Sequence, residues 1–302
     1  MQAKLFLGLG GTGSKIIGKL KELQEKREYT RISDVPVPPF ILAVVDTDRV
    51  SGIDLYHIAS VPNPLDVIKA RWKDKNFKSW WARDRRGEPY KFTEPIGPGH
   101  GAGRYPMQGR LAFWHNYSDI KDLIEKIKQR AHEHEGIDEI FVVASLCGGT
   151  GAGMLMDMGF LLRNTFSTAF ISAIVLHGEI YKNRAHDALP VTHATLLAID
   201  KWQFEPETYE MRYLEHSLEG EENIPPYDMV FLIERENMAG YGFSGARARN
   251  VDEEYQALVA RILYSMLFRG EAVPKEEREG EELRTAWQNQ KGAINNLLKT
   301  PE

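Results

Sequence analysis

The amino-acid sequence predicts an α/β protein built on a parallel sheet with helices on both faces. Short apolar runs rich in β-branched residues alternate with longer stretches of helical periodicity, a pattern typical of strands buried on both faces. Two glycine-rich runs, Gly8–Gly13 and Gly148–Gly153, each follow a strand-like run and each open a helix-like stretch. Such strand–turn–helix units are the building blocks of parallel sheets.

The individual elements follow from this alternation and give a Rossmann-like order. We predict strands over Lys4–Gly8, Phe40–Val45, Ile137–Ser145, Phe170–His177 and Asp228–Glu234. We predict helices over Ser14–Lys26, Met107–His132, Gly153–Arg163, Leu189–Trp202 and Asp252–Arg269. Functional residues are expected in the loops at the carboxyl ends of the strands, where both glycine-rich runs lie.

Composition narrows the class of protein. The chain has 302 residues, 42% of them hydrophobic, which is enough to bury a sizeable core. Its net charge of −5 argues against a protein that binds nucleic-acid backbone. Cys147 is the single cysteine, so no intrachain disulfide can form, which favours a reducing compartment. With no signal-peptide pattern and no apolar stretch of ~18 residues, we expect a cytoplasmic protein without a membrane segment.

The glycine-rich runs predict a phosphate site. Glycine leaves backbone amides bare, and the helix that follows adds the partly positive end of its dipole. One such loop is common in α/β proteins. Two loops that both contain Gly-Gly-Thr-Gly indicate a single polyphosphate held from two sides.

A dinucleotide-dependent oxidoreductase is the competing hypothesis. Gly8, Gly10 and Gly13 match the G-x-G-x-x-G fingerprint that binds NAD(P) or FAD. Asp46 ends the second predicted strand, where an acid would meet a ribose hydroxyl, although it lies further along the chain than the usual ~20 residues. This hypothesis gives no role to the second glycine-rich run.

Residues 72–98 are predicted to form an insertion. Trp80 and Trp81 stand beside several arginines, and the segment leads into a third glycine-rich stretch, Pro95–Gly103. Clustered Trp and Arg could stack on single-stranded nucleic acid. Packing of the tryptophans on the sheet is the favoured interpretation.

Four segments, in order, resemble the tubulin/FtsZ superfamily. Gly148–Gly153 is similar to its Gly-Gly-Gly-Thr-Gly-Ser/Thr-Gly loop, with Cys147 in place of the leading glycine. Gly8–Ser14 resembles its first phosphate loop, Asp46–Asp48 its Asn-Thr-Asp segment, and Gly99–Arg110 its Gly-Leu-Gly-Ala-Gly-x-x-Pro-x-x-Gly-Arg segment. The resemblance covers about Lys4 to Arg269, which is the family's nucleotide-binding domain followed by its long central helix.

This resemblance implies a site for GTP or GDP with Mg²⁺. It implies phosphate contacts from three segments: Gly10, Gly11, Thr12 and Gly13; Ala102, Gly103 and Arg104; Gly148, Gly149, Thr150 and Gly151. It also implies that Asp48 holds Mg²⁺ through water, that Glu179 binds the ribose and that Arg184 reaches a phosphate. For the loop that carries Glu179 and Arg184, an ordinary surface turn is the alternative.

Base recognition departs from the family pattern. Arg235 stands where the family has a base-reading Asn, and an arginine accepts no hydrogen bond. Asp252 or Glu253, at the start of the central helix, could accept from the N1–H and exocyclic amine of guanine. Guanine is therefore favoured over adenine.

The resemblance also frames the domains and the activity. We expect a nucleotide-binding domain over residues 1–270 that includes the central helix 252–269, and a charged helical tail over 271–302. An apolar stripe over residues 283–298 predicts self-association or a protein partner. The implied function is a nucleotide-dependent cytoskeletal, assembly or switch module. In the family, a neighbouring subunit completes the hydrolytic site with an acidic loop that follows the central helix. Here the acidic segment Asn250–Glu254 precedes that helix and the family's second domain is not in the sequence, so the resemblance implies a slow GTPase. A non-catalytic scaffold is the remaining alternative.

Overall fold

The computed structural model describes residues 2–26, 39–91, 94–181, 186–234 and 251–267. Its strands are β1 (Ala3–Leu9), β2 (Phe40–Asp46), β3 (Leu55–Ile58), β4 (Ile137–Ser145), β5 (Phe170–Leu176), β6 (Glu210–Tyr213), β7 (His216–Glu219) and β8 (Met229–Ile233). Its helices are α1 (Gly10–Lys26), α2 (Pro64–Arg71), α3 (Lys75–Trp80), α4 (Pro106–His115), α5 (Tyr117–His132), α6 (Gly149–Thr165), α7 (Ala188–Phe204) and α8 (Val251–Leu267).

The predicted parallel sheet is confirmed. Six strands pair in the order β3-β2-β1-β4-β5-β8, and every pair is parallel. β6 and β7 form a separate antiparallel hairpin. Gly8 of β1 is in register with Val44 of β2 and Val143 of β4, so the carboxyl ends of these three strands meet at one edge. Dinucleotide-binding folds share this order of strands, so the order alone does not separate the two hypotheses.

Helices cover both faces of the sheet, as predicted. Alternate residues of a strand face opposite sides. Leu5 and Leu7 of β1 belong to the core formed with α4, α5 and α6, whereas Phe6 belongs to the core formed with α1 and α8. The central helix α8 therefore packs beside α1, which carries the first glycine-rich run.

Two helices begin earlier than predicted. α1 begins at Gly10 rather than Ser14, and α6 begins at Gly149 rather than Gly153. The glycines were expected to form loops before the helices, yet most of each run forms the first helical turn. The unpaired amides of both helix ends thus lie within the glycine-rich runs.

The single helix predicted over Met107–His132 is wrong, because Asn116 divides it. α4 ends at His115 and α5 begins at Tyr117. The Asn116 amide nitrogen donates to the carbonyl oxygens of Ala112 (2.8 Å) and Ser60 (3.0 Å). A short polar side chain that bonds the backbone in this way competes with helical continuation.

Two aromatic residues of segment 72–98, Phe77 and Trp81, pack inside the protein. Trp81 is buried and stacks on Phe77 with ring centroids 5.3 Å apart. The Trp81 indole nitrogen donates to the carbonyl oxygen of Tyr90 at 3.0 Å. Core packing, the favoured interpretation, therefore accounts for this tryptophan. The insertion and its bounds stay a prediction.

The predicted tail, 271–302, lies outside the described residues. Within the described ranges, none of the helices combines the length and the apolar character that a bilayer crossing requires.

Candidate functional site

The two glycine-rich runs touch each other at the carboxyl edge of the sheet. Gly10 has a φ of +67°, in the left-handed region that glycine tolerates. A Cβ on Gly10 would lie 2.9 Å from the amide nitrogen of Gly151 and 3.0 Å from Cβ of Thr150. Contact this close requires glycine, so the first turns of α1 and α6 pack directly against one another.

Two other glycines of the first run hold α1 against the sheet. A Cβ on Gly13 would lie 2.4 Å from the carbonyl oxygen of Val143, and one on Gly8 would lie 2.7 Å from the carbonyl carbon of Gly13. These glycines permit close packing of helix on strand. The phosphate role of Gly13 stays a prediction beside this packing contact.

The third glycine-rich stretch packs against the start of α6. A Cβ on Gly149 would lie 2.7 Å from the carbonyl oxygen of Ala102 and 2.9 Å from the amide nitrogen of Tyr105. A Cβ on Gly109, in α4, would lie 2.1 Å from the carbonyl oxygen of Gly149. The stretch predicted to contact the terminal phosphate is thus wedged beside the second glycine-rich run.

The segment after β2 joins the same cluster. The hydroxyl oxygens of Thr47 and Thr150 are 2.5 Å apart and buried. Oδ1 of Asp48 accepts a hydrogen bond from the amide of Gly99 at 2.9 Å. All four segments that resemble the superfamily therefore meet at one place.

Two glycines of the cluster face open space. A Cβ on Gly11 or on Gly148 would meet no atom within 4 Å. Gly11 is in the first turn of α1 and Gly148 directly precedes α6. The first amides of a helix have no partner within the helix and carry partial positive charge. Two such helix ends converge here, which is a suitable arrangement for an anion with several charges.

A cavity of about 750 Å³ lies beside this cluster. Its lining includes Gly11 and Ser14 of α1, Asp48 after β2, and Glu253 and Gln256 of α8. This volume is within the usual range of small-molecule sites, about 300–1,000 Å³. The cavity links the glycine cluster to the start of the central helix, so a ligand could contact both.

Asp46 is buried, and its carboxylate is hydrogen-bonded within the protein. It is 3% exposed, and its carboxylate accepts from the Ser14 hydroxyl (3.0 Å) and from the amide of Thr47 (2.7 Å). Burial raises the pKa of the Asp46 carboxyl, although these hydrogen bonds oppose the shift. A carboxylate that is already bonded to its own chain is poorly placed to bind a ribose. The geometry therefore gives no support to the dinucleotide hypothesis.

Asp48, in contrast to the buried Asp46, is exposed. Hydrogen bonds from the amides of Gly99 and Arg49 lower the pKa of the Asp48 carboxyl, which keeps it ionised at neutral pH. Both bonds use Oδ1. The described residues contain no group of three or more His, Cys, Asp or Glu side chains that could hold a metal. An oxygen ligand such as Asp48 suits Mg²⁺ that is bound mainly by phosphate and water.

The loop predicted to bind ribose contacts the first glycine-rich run through Tyr181, which the sequence analysis did not single out. Glu179 lies in a short 3₁₀ turn, Gly178–Tyr181, and is partly buried. The Tyr181 hydroxyl oxygen is 3.2 Å from the hydroxyl oxygen of Thr12. Burial raises the pKa of Tyr181 to about 12, so its hydroxyl stays protonated. Arg184 lies outside the described residues.

The start of α8 offers a second residue that the sequence analysis missed. Asp252 is 6% exposed, whereas Glu253 is exposed and lines the cavity. Gln256 is 2% exposed, lines the cavity and hydrogen-bonds to Tyr181. Oε1 of Gln256 is buried and has no hydrogen-bond partner among the described residues. Its position one turn after Asp252, on the same helix face, was the available signal. Arg235, the other predicted base residue, lies outside the described residues.

The chain matches a known protein family in sequence and two solved structures in fold. A family model described as "Tubulin like" matches residues 5–296. The fold is similar to CetZ2 from Haloferax volcanii in a GTPγS-bound protofilament, with 15% identity, a TM-score of 0.50, and coverage of 91% of this chain and 60% of that one. It is also similar to the GDP-bound monomer of CetZ1 from Haloferax volcanii, with 14% identity, a TM-score of 0.50, and coverage of 92% and 62%.

This chain therefore spans about three fifths of the length of those two proteins. At such low identity the two structures show a common fold alone. No curated protein sequence gives a significant match.

Proposed function

This chain belongs to the tubulin-like family, and we propose that it binds a guanine nucleotide in the pocket formed by its four clustered segments. One observation carries the proposal: the first turns of α1 and α6 converge, with Gly10 packed against Gly151. Two helix ends that share one open face can surround a polyphosphate with amide donors. A dinucleotide site requires one such helix end.

Each cluster segment has a proposed place along the phosphates. The amides of Gly10, Gly11, Thr12 and Gly13 bind the α- and β-phosphates. Those of Ala102, Gly103 and Arg104 bind the γ-phosphate. The backbone amides of Gly148, Gly149, Thr150 and Gly151 close the opposite side. The close approach of Gly149 to Ala102 supports this arrangement, because it brings the third glycine-rich stretch next to the second glycine-rich run.

We propose that Asp48 contributes to a Mg²⁺ site. Its carboxylate is ionised, exposed and held beside Gly99. The metal would neutralise charge on the phosphate oxygens, and Asp48 would hold it through water.

For the nucleoside, the proposed site is the cavity at the start of α8. The unpaired Oε1 of Gln256 would accept a base N–H, and the Glu253 carboxylate could accept two from guanine. Tyr181 and Glu179 border the ribose in this proposal. Asp252 is buried and is not among the residues that line the cavity, so we assign no base contact to it.

Ligand-induced stabilisation tests this function. Thermal unfolding would be measured with GTP, GDP, ATP and NAD(P), each with and without Mg²⁺. A ligand at 100 times its Kd adds roughly 2.7 kcal/mol of stability. We expect GTP and GDP to raise the melting temperature more than ATP, and NAD(P) to have no effect. Stabilisation by NAD(P) alone would contradict the proposal.

Beyond binding, we propose a cytoskeletal, assembly or switch role that depends on the nucleotide. The protofilament formed by CetZ2, which has a similar fold, supports self-association. Residues 283–298, outside the described ranges, are the proposed contact for another copy or a partner protein.

Hydrolysis by the isolated chain is expected to be slow and nearly independent of protein concentration. Glu253, in the first turn of α8, lines the cavity of its own chain, and the side chain of Asp252 is too buried to be offered to a neighbouring molecule. Phosphate release would be measured over a range of protein concentrations. A steep rise in specific activity, accompanied by filaments in electron micrographs, would show that a neighbour completes the site.

A further inference from the structure

Arg104 has an unusual backbone conformation. Its φ is +63°, although it carries a side chain, and the preceding Gly103 has a φ of +56°. For an L-residue the left-handed region is less favourable than the right-handed one, because Cβ comes too close to the backbone. Glycine would occupy position 104 without that cost. Strained residues of this kind concentrate at binding sites.

The Arg104 side chain lies beside the proposed terminal-phosphate site. Its neighbours in the chain, Ala102 and Tyr105, both contact Gly149 of the second glycine-rich run. The guanidinium forms an ion pair with the carboxylate of Asp187 at 3.3 Å. Asp187 directly precedes α7, so the pair connects the third glycine-rich stretch with the start of another helix.

This ion pair is easily exchanged. The two side chains are 56% and 45% exposed, and ion pairs between exposed side chains contribute little to stability because water screens them. A phosphate carries more charge than a carboxylate, and its oxygens match the two-pronged geometry of guanidinium. A terminal phosphate placed near Arg104 would therefore compete successfully with Asp187.

We propose that Arg104 distinguishes nucleoside triphosphates from diphosphates by exchanging Asp187 for the γ-phosphate. This inference rests on the proposed function of the same pocket. With a triphosphate, the guanidinium binds the γ-phosphate and Asp187 is released. With a diphosphate, no phosphate reaches Arg104 and the ion pair persists. The nucleotide state is thereby transmitted to the start of α7.

Calorimetric titration of two variants with GTPγS and GDP tests this exchange. Arg104→Gly removes the guanidinium and relieves the backbone strain, so the fold should be retained. We expect it to weaken GTPγS binding at least about tenfold, the usual consequence of losing a charged hydrogen bond, and to leave GDP affinity unchanged. Asp187→Asn removes the competing carboxylate, so it should strengthen GTPγS binding several-fold without affecting GDP.

The opposite signs of the two effects make the test specific. Equal weakening of GTPγS and GDP by Arg104→Gly would overturn the exchange and indicate general attraction to phosphate. Unchanged affinities in both variants would also overturn it, because the pair would then be only structural. Failure of the unmodified chain to bind either nucleotide would instead contradict the proposed function.

Discussion

Replacing Gly149 with alanine is expected to lower the free energy of unfolding by about 1–3 kcal/mol, the usual cost of overpacking. The new Cβ would lie 2.7 Å from the carbonyl oxygen of Ala102 and 2.9 Å from the amide nitrogen of Tyr105. Because these are backbone atoms, the two segments must separate. The sequence analysis names Gly149 only as a phosphate contact, whereas the structure also places it inside a packed contact.

Gly148→Ala is the matched control for this substitution. The added Cβ meets no atom within 4 Å, and the φ of −87° suits alanine. Gly148 is the N-cap of α6, where alanine is less favourable than glycine, so we expect a loss of no more than about 1 kcal/mol. Urea unfolding of the unmodified chain and both variants would measure the difference. Equal midpoints for the two variants would show that Gly149 does not touch the third glycine-rich stretch.

Gly11→Ala is expected to weaken GTP binding at least about tenfold while the fold stays as stable as before. Gly11 is exposed, and a Cβ there meets no protein atom within 4 Å. Its position in the first turn of α1 directs it to the space where we place the phosphates. A methyl group there would hold a phosphate away from the amides, each of which contributes a charged hydrogen bond of about 1.5–3 kcal/mol.

A second glycine of the same helix provides the control. A Cβ on Gly18, two turns further along α1, also meets nothing within 4 Å. Gly18→Ala should stabilise the chain by about 0.5–1 kcal/mol, because alanine favours helix over glycine. Gly18 lines the same cavity, but two turns away from the helix end where we place the phosphates, so calorimetry should show a much smaller loss of GTP affinity than for Gly11→Ala. Equal GTP affinities for the two variants would show that the phosphates do not approach the first turn of α1.

Much of the sheet could be predicted from the sequence. Whether a strand could be predicted depends on its length and on how much of it is buried. The five predicted strands are long enough, and apolar enough on both faces, to stand out. β3 is a four-residue edge strand, Leu55–Ile58, in which Tyr56 is 47% exposed. Such a short, half-exposed segment gives no strong periodicity. The break at Asn116 was missed because it depends on a hydrogen bond to distant Ser60.

The candidate site, too, could be predicted from the sequence only in part. Glycine-rich runs after strands mark the pocket because few other residues can occupy those positions. Which glycine packs and which faces the ligand depends on tertiary contacts, so the adjacent Gly148 and Gly149 cannot be told apart from sequence. The sequence analysis did not identify Tyr181 and Gln256 as site residues for the same reason, because their hydrogen bond joins segments that are far apart in the chain.

A crystal structure of the chain with GTPγS and Mg²⁺ tests the central claim most directly. We predict one nucleotide per chain, with its phosphates contacted by backbone amides of both glycine-rich runs, Gly10–Thr12 and Gly148–Thr150, and its base beside Gln256. A nucleotide whose phosphates touch only one of the two runs, or that binds away from the start of α8, would contradict the claim that the four segments form a single guanine-nucleotide pocket.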